Sequence, residues 1–226
     1  MIPKKIHLCW FGRGTYPAEM IQCLQSIALH LPQYEVIIWT EENFDIAYYR
    51  FAKEAYQEKK YAFVSDVCRL HVLNEYGGIY LDTDVEIVQN FDAFLSHKFF
   101  CGFESDRLLS TAVLGSVKNN PILQKLLDVY RKKSFYRRHL YKKYYTTPNT
   151  ITITNEFLLR GLQLSNQKQQ LVSCETVIYP QTFFSPKDWN TGEYQISDET
   201  CAIHHFSGSW KHGKNRKDWI KRLFLF

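Results

Sequence analysis

Tyr76-Gly77-Gly78-Ile79-Tyr80-Leu81-Asp82-Thr83-Asp84-Val85 reads both as a junction between two elements and as a site. The glycine pair ends a helix, because glycine takes the left-handed C′ position without a Cβ penalty. Ile79, Leu81, Thr83 and Val85 then give a β-prone run, which Asp82 and Asp84 interrupt. Side chains two apart on a strand share a face, so the two carboxylates are expected to converge, their Cβ atoms roughly 6 to 7 Å apart. Such a pair repels itself unless a cation stands beside it. A hard divalent ion with oxygen ligands, Mg2+ or Mn2+, is the economical partner. A solvated turn at a strand end is the ordinary alternative, and the tripeptide alone does not separate the two.

Upstream, Val67, Leu70, Leu73 and Tyr76 recur at threes and predict a helix packed along one stripe. Asp66 and Arg69 are neighbours on that helix. They read either as a surface ion pair of little energetic weight or as groups facing the same ligand as the aspartates, Arg69 toward an anion and Asp66 toward hydroxyls. Ile6 to Phe11 predicts a buried first strand running into Gly12-Arg13-Gly14. Ligands of open α/β sheets sit beyond the carboxyl ends of strands, where Trp10 offers a flat face for a base, unless it simply fills the core. Ala18 to Leu31 predicts a helix with Ile21, Leu24, Ile27 or Ala28, and Leu31 at helical spacing, stopped at Pro32, and Glu35 to Trp39 a second strand. This β-α-β opening points to an α/β sheet. A charged amphipathic helix is expected over 46–60.

Downstream, Lys98 to Glu104 predicts a strand ending in an acid that is either structural or turned toward substrate. Ala112-Val113-Leu114-Gly115 predicts another strand, and Pro121 opens a helix to about Tyr130. Thr146 to Thr154 reads as irregular, Phe157 to Leu164 as a helix, and Val177 to Pro180 and Phe183-Phe184 as late strands. Ala202-Ile203-His204-His205-Phe206-Ser207-Gly208-Ser209-Trp210-Lys211 predicts a strand running into paired histidines, one of which could offer an imidazole to a metal.

The 226 residues, 45% hydrophobic and without internal repeat, suit a single domain over 1–226. Six cysteines with no C-x-x-C spacing argue against a zinc knuckle or disulfide framework. No window approaches a membrane span, and Met1-Ile2-Pro3-Lys4-Lys5 lacks the apolar core of a signal peptide, so a cytoplasmic location is expected. The net charge of +5 is concentrated between Tyr130 and Tyr145, where seven Lys and Arg residues alternate with aromatics and no acid intervenes. That segment suits an anionic neighbour: a membrane at its inner face, with help from the apolar, basic tail Trp219–Phe226, or single-stranded nucleic acid. A solvated helix face is the plain alternative.

Ile2-Pro3-Lys4-Lys5-Ile6-His7 with Trp10 and Gly12, Ala62-Phe63-Val64-Ser65-Asp66 with Arg69, and Gly77-Gly78-Ile79-Tyr80-Leu81-Asp82-Thr83-Asp84 together resemble glycosyltransferase family 32. That family holds capsule and lipopolysaccharide sugar transferases and yeast-type mannosyltransferases, and is related to clostridial glucosylating toxins. The likeness runs to about Val88 and returns at His205 to Trp210. It implies a GT-A fold, Rossmann-like with a mixed, mainly parallel sheet, and a retaining hexosyltransferase using Mn2+ or Mg2+. The donor implied is a nucleotide sugar, UDP-linked by preference with GDP-mannose also open, and the acceptor a lipid-linked or polysaccharide glycan rather than nucleic acid. By resemblance, Trp10 stacks on the base, Asp66 and Arg69 hold the donor sugar, and Asp82 touches ribose or sugar hydroxyls and mediates metal contact. Asp84 ligates the metal, His205 supplies a second protein ligand through its spacing to Gly208, and Trp210 and Lys211 lie against the diphosphate. The toxins carry an acid where His205 falls and His204 is adjacent, so the choice of histidine stays open. Asp66 and Glu104 are the acids expected to offset charge on a cation-like sugar. A metal-dependent phosphoesterase could use the same acids and histidine to activate water.

Overall fold

The computed structural model of the protein describes residues 1–137, 144–145 and 147–208. The chain opens as β1 (Lys5–Cys9), α1 (Ala18–His30) and β2 (Glu35–Trp39). A short 3-10 turn and α2 (Arg50–Gln57) replace the single helix expected over 46–60, and α3 (Tyr61–Tyr76) leads into β3 (Gly78–Leu81). There follow β4 (Val85–Ile87), β5 (Phe99–Ser105), β6 (Leu108–Ser116), α4 (Pro121–Arg131), α5 (Asn149–Leu158), β7 (Gln169–Leu171), β8 (Thr176–Tyr179), α6 (Gln181–Phe184) and β9 (Ala202–His204).

Seven strands form one sheet in the order β2-β1-β3-β6-β5-β8-β7. β2, β1 and β3 run parallel, β6 is antiparallel to both its neighbours, β5 and β8 are parallel, and β7 closes the edge antiparallel. Five of the seven therefore share a direction, as a mixed, mainly parallel α/β sheet requires. β4 and β9 pair separately, with Val85 opposite His204.

Strand alternation gives the sheet two buried faces. Tyr80, Phe99, Cys101 and Phe103 project among residues of α2, α3, α4 and α5. Ile79, Leu81, Phe100 and Val113 project the other way, against Ile27 of α1 and Phe184 of α6. Of the stripe expected along 18–31, Ile27 and Leu31 are buried and Leu24 packs against the same core, while Ile21 is 45% exposed and Met20 and Cys23 are buried instead. Pro148 caps α5 rather than breaking a loop, since proline fits before a first helical turn. Phe183 and Phe184 lie in α6, not a strand.

The basic aromatic segment, in its described part, is not a free helix face. Ser134 Oγ and the Phe135 amide donate to Glu54 at 2.7 Å each, and the Tyr136 and Tyr144 hydroxyls donate to Glu58. Glu54 and Glu58 flank the end of α2, so its acids dock this segment against the helix face. Residues 138–143 and the tail from Ser209 onward, with Trp210 and Lys211, lie outside the described residues. Among those described, no helix is long and apolar enough to cross a membrane.

The α3–β3 junction is fixed by a buried imidazole. Trp39 Nε1 donates to His7 Nδ1 at 3.1 Å, which leaves the His7 Nε2 hydrogen to donate to the Gly77 carbonyl at 2.8 Å. Burial lowers the His7 pKa, consistent with this neutral tautomer. Gly77 and Gly78 both have positive φ, 64° and 115°, and a Cβ on Gly78 would stand 2.7 Å from the Lys5 carbonyl oxygen and 2.9 Å from His7 Nε2. Gly78→Ala is expected to lower unfolding free energy by about 2 kcal/mol or more, from left-handed strain plus the clash. A urea midpoint within error of wild type would show that the junction relaxes freely.

Candidate active site

β3 stops at Leu81, so Asp82 and Asp84 do not lie on one strand as expected. The Asp82 amide still donates to Ala112 of β6 at 2.9 Å, and the Val85 amide closes back on the Asp82 carbonyl at 3.1 Å. The chain thus turns over Asp82-Thr83-Asp84 before β4 begins. The carboxylates converge nonetheless, through a turn held between two paired strands. Asp82, Asp84 and His204 each offer a ligand atom within 4.8 Å of the others.

The structure places His204, not the expected His205, in this cluster. Pairing of β9 with β4 sets His204 opposite Val85, and its Nε2 lies 3.4 Å from Asp84 Oδ1. His205 turns the other way, its Nε2 2.9 Å from Glu86, and it meets Asp84 only through its amide, which donates to the Asp84 carbonyl at 3.0 Å. The Ser207 amide donates to Asp84 Oδ2 at 2.9 Å. Burial pushes the Asp84 carboxyl up, but His204 and the Ser207 amide outweigh it and hold the group well below the usual carboxylate range. His204 is the complement: burial lowers its pKa, while Asp84, Asp82 and Glu104 raise it on balance. A proton on His204 therefore partly offsets two carboxylates, and its Nδ1 is buried without a hydrogen-bond partner. Two carboxylates, an imidazole and an orphaned ring nitrogen suit a divalent cation of the Mn2+ or Mg2+ kind, which would displace that proton.

Arg69 is 6% exposed at its side chain and is not the surface ion-pair partner of the plain reading. Its Nη2 lies 3.2 Å from both Asp66 Oδ1 and Asp82 Oδ1. Its Nη1 donates to the Thr111 carbonyl at 2.8 Å and hydroxyl at 3.1 Å, and its Nε to the Ser65 carbonyl at 3.3 Å. Tyr80 completes the holder: its ring lies 4.6 Å from the guanidinium and its hydroxyl donates to Asp82 Oδ1 at 2.7 Å. The guanidinium so engaged orients two acids. Tyr80 and Thr111 escape sequence reading because one looks like a strand hydrophobe and the other like a strand filler.

Asp66, mostly shielded on α3, has its pKa raised to about 6, by desolvation first, with Asp82 adding and Arg69 and Lys133 opposing. Glu104, near the end of β5, is raised to about 7 by burial, with His204 opposing and Asp82 adding. Among the described residues the Glu104 carboxylate has no hydrogen bond or ion pair, and it feels the fields of Asp82, His204 and Arg69. Trp10 stands just beyond the carboxyl end of β1, half-buried, with Nε1 donating to the Gly14 carbonyl at 2.8 Å and its ring edge-on to Tyr16. The turn Gly12–Gly14 thus braces the indole just beyond the carboxyl end of β1.

Glu104 carries a stability signature. An unfolded chain loses this proton near 4.5 and the folded chain near 7, so the folded state binds more protons across that window and this group destabilises the fold as pH rises through it. Glu104→Gln is expected to unfold at a higher urea concentration than wild type at pH 8, with most of the gap lost by pH 5. A gap independent of pH would contradict the burial assigned to this side chain.

Residues 17–101 match the family described as "Glycosyltransferase sugar-binding region containing DXD motif". Inositol phosphoceramide mannosyltransferase 3 of Schizosaccharomyces pombe is 34% identical over 127 residues, covering 54% of this chain and 35% of that protein. Mannosyl phosphorylinositol ceramide synthase CSH1 of Saccharomyces cerevisiae is 30% identical over 151 residues, 65% of this chain and 39% of that protein. The chain thus spans little more than a third of the length of these two relatives. The solved structure of the PaToxG glycosyltransferase superposes with a TM-score of 0.48 at 22% identity, over 56% of this chain and 59% of that one. The stretch from residue 17 to residue 101 is thus similar to a glycosyltransferase sugar-binding region, and Asp82-Thr83-Asp84 stands in it as the DXD motif.

Proposed function

We propose that the protein is a metal-dependent, retaining hexosyltransferase that moves a sugar from a nucleoside diphosphate carrier to a hydroxyl of a lipid-linked or polysaccharide acceptor. The observation that carries this reading is the meeting of Asp82, Asp84 and His204 within 4.8 Å, inside or beside a stretch that matches the DXD sugar-binding family. The names of the two yeast relatives put mannose first among the sugars, with GDP as its usual carrier and UDP sugars the other class to test. Peripheral contact with an anionic membrane would bring such an enzyme to a lipid-linked acceptor.

Asp82, Asp84 and His204 would hold the cation, and His205 backs the site from Glu86. When bound, the cation supplies positive charge for the diphosphate that leaves. The chain's own residues do the rest. Arg69 fixes the facing edges of Asp66 and Asp82, so neither carboxylate must reorganise as charge develops on the sugar. Asp66 accepts hydrogen bonds from sugar hydroxyls and offsets the cation-like ring. Glu104, titrating near neutrality and without a hydrogen bond or ion pair among the described residues, faces the acceptor side and can take a hydrogen bond or a proton from the attacking hydroxyl. Trp10 receives the base. Front-face attack within an ion pair is the preferred route, in place of the paired carboxylates of a retaining glycosidase. A phosphoesterase would hydrolyse the donor as well, so transfer to an added acceptor distinguishes the two.

Screening UDP and GDP sugars with Mn2+ for hydrolysis and transfer tests the reading as a whole. Asp84→Asn is expected to keep the wild-type far-UV spectrum and lose on the order of a hundredfold in metal-dependent turnover; an unchanged rate would remove the metal assignment. In Mn2+ titrations His204→Ala should weaken binding at least about tenfold and His205→Ala far less, and the reverse order would return the ligand role to His205.

A further inference from the structure

Among the described residues, Lys133 and Arg137 are two cations that stand together without an anion. Lys133 Nζ lies 4.9 Å from the Tyr145 ring centroid, 5.4 Å from Phe51 and 5.8 Å from Tyr130. The Arg137 guanidinium lies 4.4 Å from the same Tyr145 ring, and its Nε is buried with no hydrogen-bond partner. Among the described residues neither cation has an ion pair, although Arg131 is matched by Asp128 and Arg50 by Glu54. Aromatic faces hold a cation without neutralising it. The acid whose field reaches Lys133 is Asp66, and Asp66 already pairs with Arg69. Burial, then Arg137, depresses the Lys133 pKa, as expected of a charge lacking its counterion.

The contacts also order these groups across the site. Lys133 and Asp66 act on each other, Asp66 shares Arg69 Nη2 with Asp82, and Asp82 clusters with Asp84 and His204. Among these links the cation pair reaches the candidate metal ligands through Asp66 and Arg69. α5 begins at the same place: Asn149 accepts from the Tyr130 hydroxyl and donates to the Asp66 carbonyl, both at 3.4 Å, and no side chain caps the first amides of this ten-residue helix. A guanidinium with a free Nε edge, an ammonium and a nearby uncapped helix start make a donor set suited to a phosphate group.

We propose that Lys133 and Arg137 form an anion subsite for a phosphate ester carried by the acceptor, linked through Asp66 and Arg69 to the cluster that serves the leaving diphosphate. The word acceptor rests on the transferase reading; the anion site itself does not. The intact protein would be titrated with methyl phosphate by calorimetry, beside Lys133→Gln/Arg137→Gln, the single variant Lys133→Met, which keeps the aliphatic stem on the rings, and Lys125→Gln as an exposed control on α4. Saturable binding to wild type and control, at least tenfold weaker in the double variant and at least threefold weaker in Lys133→Met, each with wild-type circular dichroism, is the expected result. A saturating nucleoside diphosphate with Mn2+ should leave the methyl phosphate affinity unchanged. Equal affinity in Lys133→Met and wild type would overturn the subsite, whatever becomes of the double variant. Displacement by the nucleoside diphosphate would hand the pair to the donor, and tenfold tighter binding of inorganic phosphate would make it a free-phosphate site; either overturns the acceptor assignment. Variant-sensitive binding in a protein that transfers no sugar would leave an anion site standing and refute its assignment to an acceptor.

Discussion

The Arg69 guanidinium is the interaction on which the arrangement of the site depends. From the middle of α3 it reaches the Ser65 carbonyl one turn back, the Thr111 carbonyl and hydroxyl on β6, and the carboxylates of Asp66 and Asp82. Helix, central strand and the turn after β3 are thereby tied at one point in the core. A buried charge with all its donors engaged is tolerable; one stripped of a partner typically costs about 3–5 kcal/mol. The same geometry that satisfies Arg69 thus dictates where two acids point, and those acids border the place where β3 ends.

A chain of consequences follows from that anchoring. β6 runs antiparallel between β3 and β5, so the end of β3 lies beside Thr111 and Ala112, and β5 carries Glu104 to the same region. The turn through Asp82-Thr83-Asp84 directs the chain into β4, whose pairing with β9 brings His204 back from more than a hundred residues away. Acids from α3, the β3 turn and β5 and an imidazole from β9 therefore meet although their elements are distant in sequence. Their ionisations are pushed apart in the way expected where charges are crowded out of water: Asp84 down, Asp66 and Glu104 up, His204 up. In the proposed reading this imbalance is what a cation and a charged donor complete.

Much of this was legible in the chain because its physics is local. Gly77-Gly78 marks the junction since only glycine fits the left-handed backbone there, and the β-α-β opening follows from side-chain periodicity. The convergence of Asp82 and Asp84 was readable, but its mechanism was not, since a turn held by hydrogen bonds to distant strands leaves no trace in a three-residue spacing. The choice of His204 over His205 is a one-residue register question, settled only by which residue β4 sets opposite Val85. On α1 the expected stripe holds at Leu24, Ile27 and Leu31 but fails at Ile21, where packing against the sheet selects Met20 and Cys23 although Ile21 is the more hydrophobic side chain. Thr150 to Thr154 are β-branched and argue weakly against a helix, yet burial of Ile153 and Phe157 in the core overrides that preference. Pairing of the basic segment with Glu54 and Glu58 could not be foreseen, because both partners look like ordinary surface charge.

The account stands or falls on whether the three side chains at the β3 turn and the end of β9 bind one cation together. Crystals grown with Mn2+ and a nucleoside diphosphate, measured at the manganese absorption edge, test this directly. A single strong anomalous peak within bonding distance of Asp84 and His204, with Asp82 in contact directly or through water, is the predicted result. A well-ordered site without that peak, or a peak held by other residues while these three keep their present contacts, would contradict it.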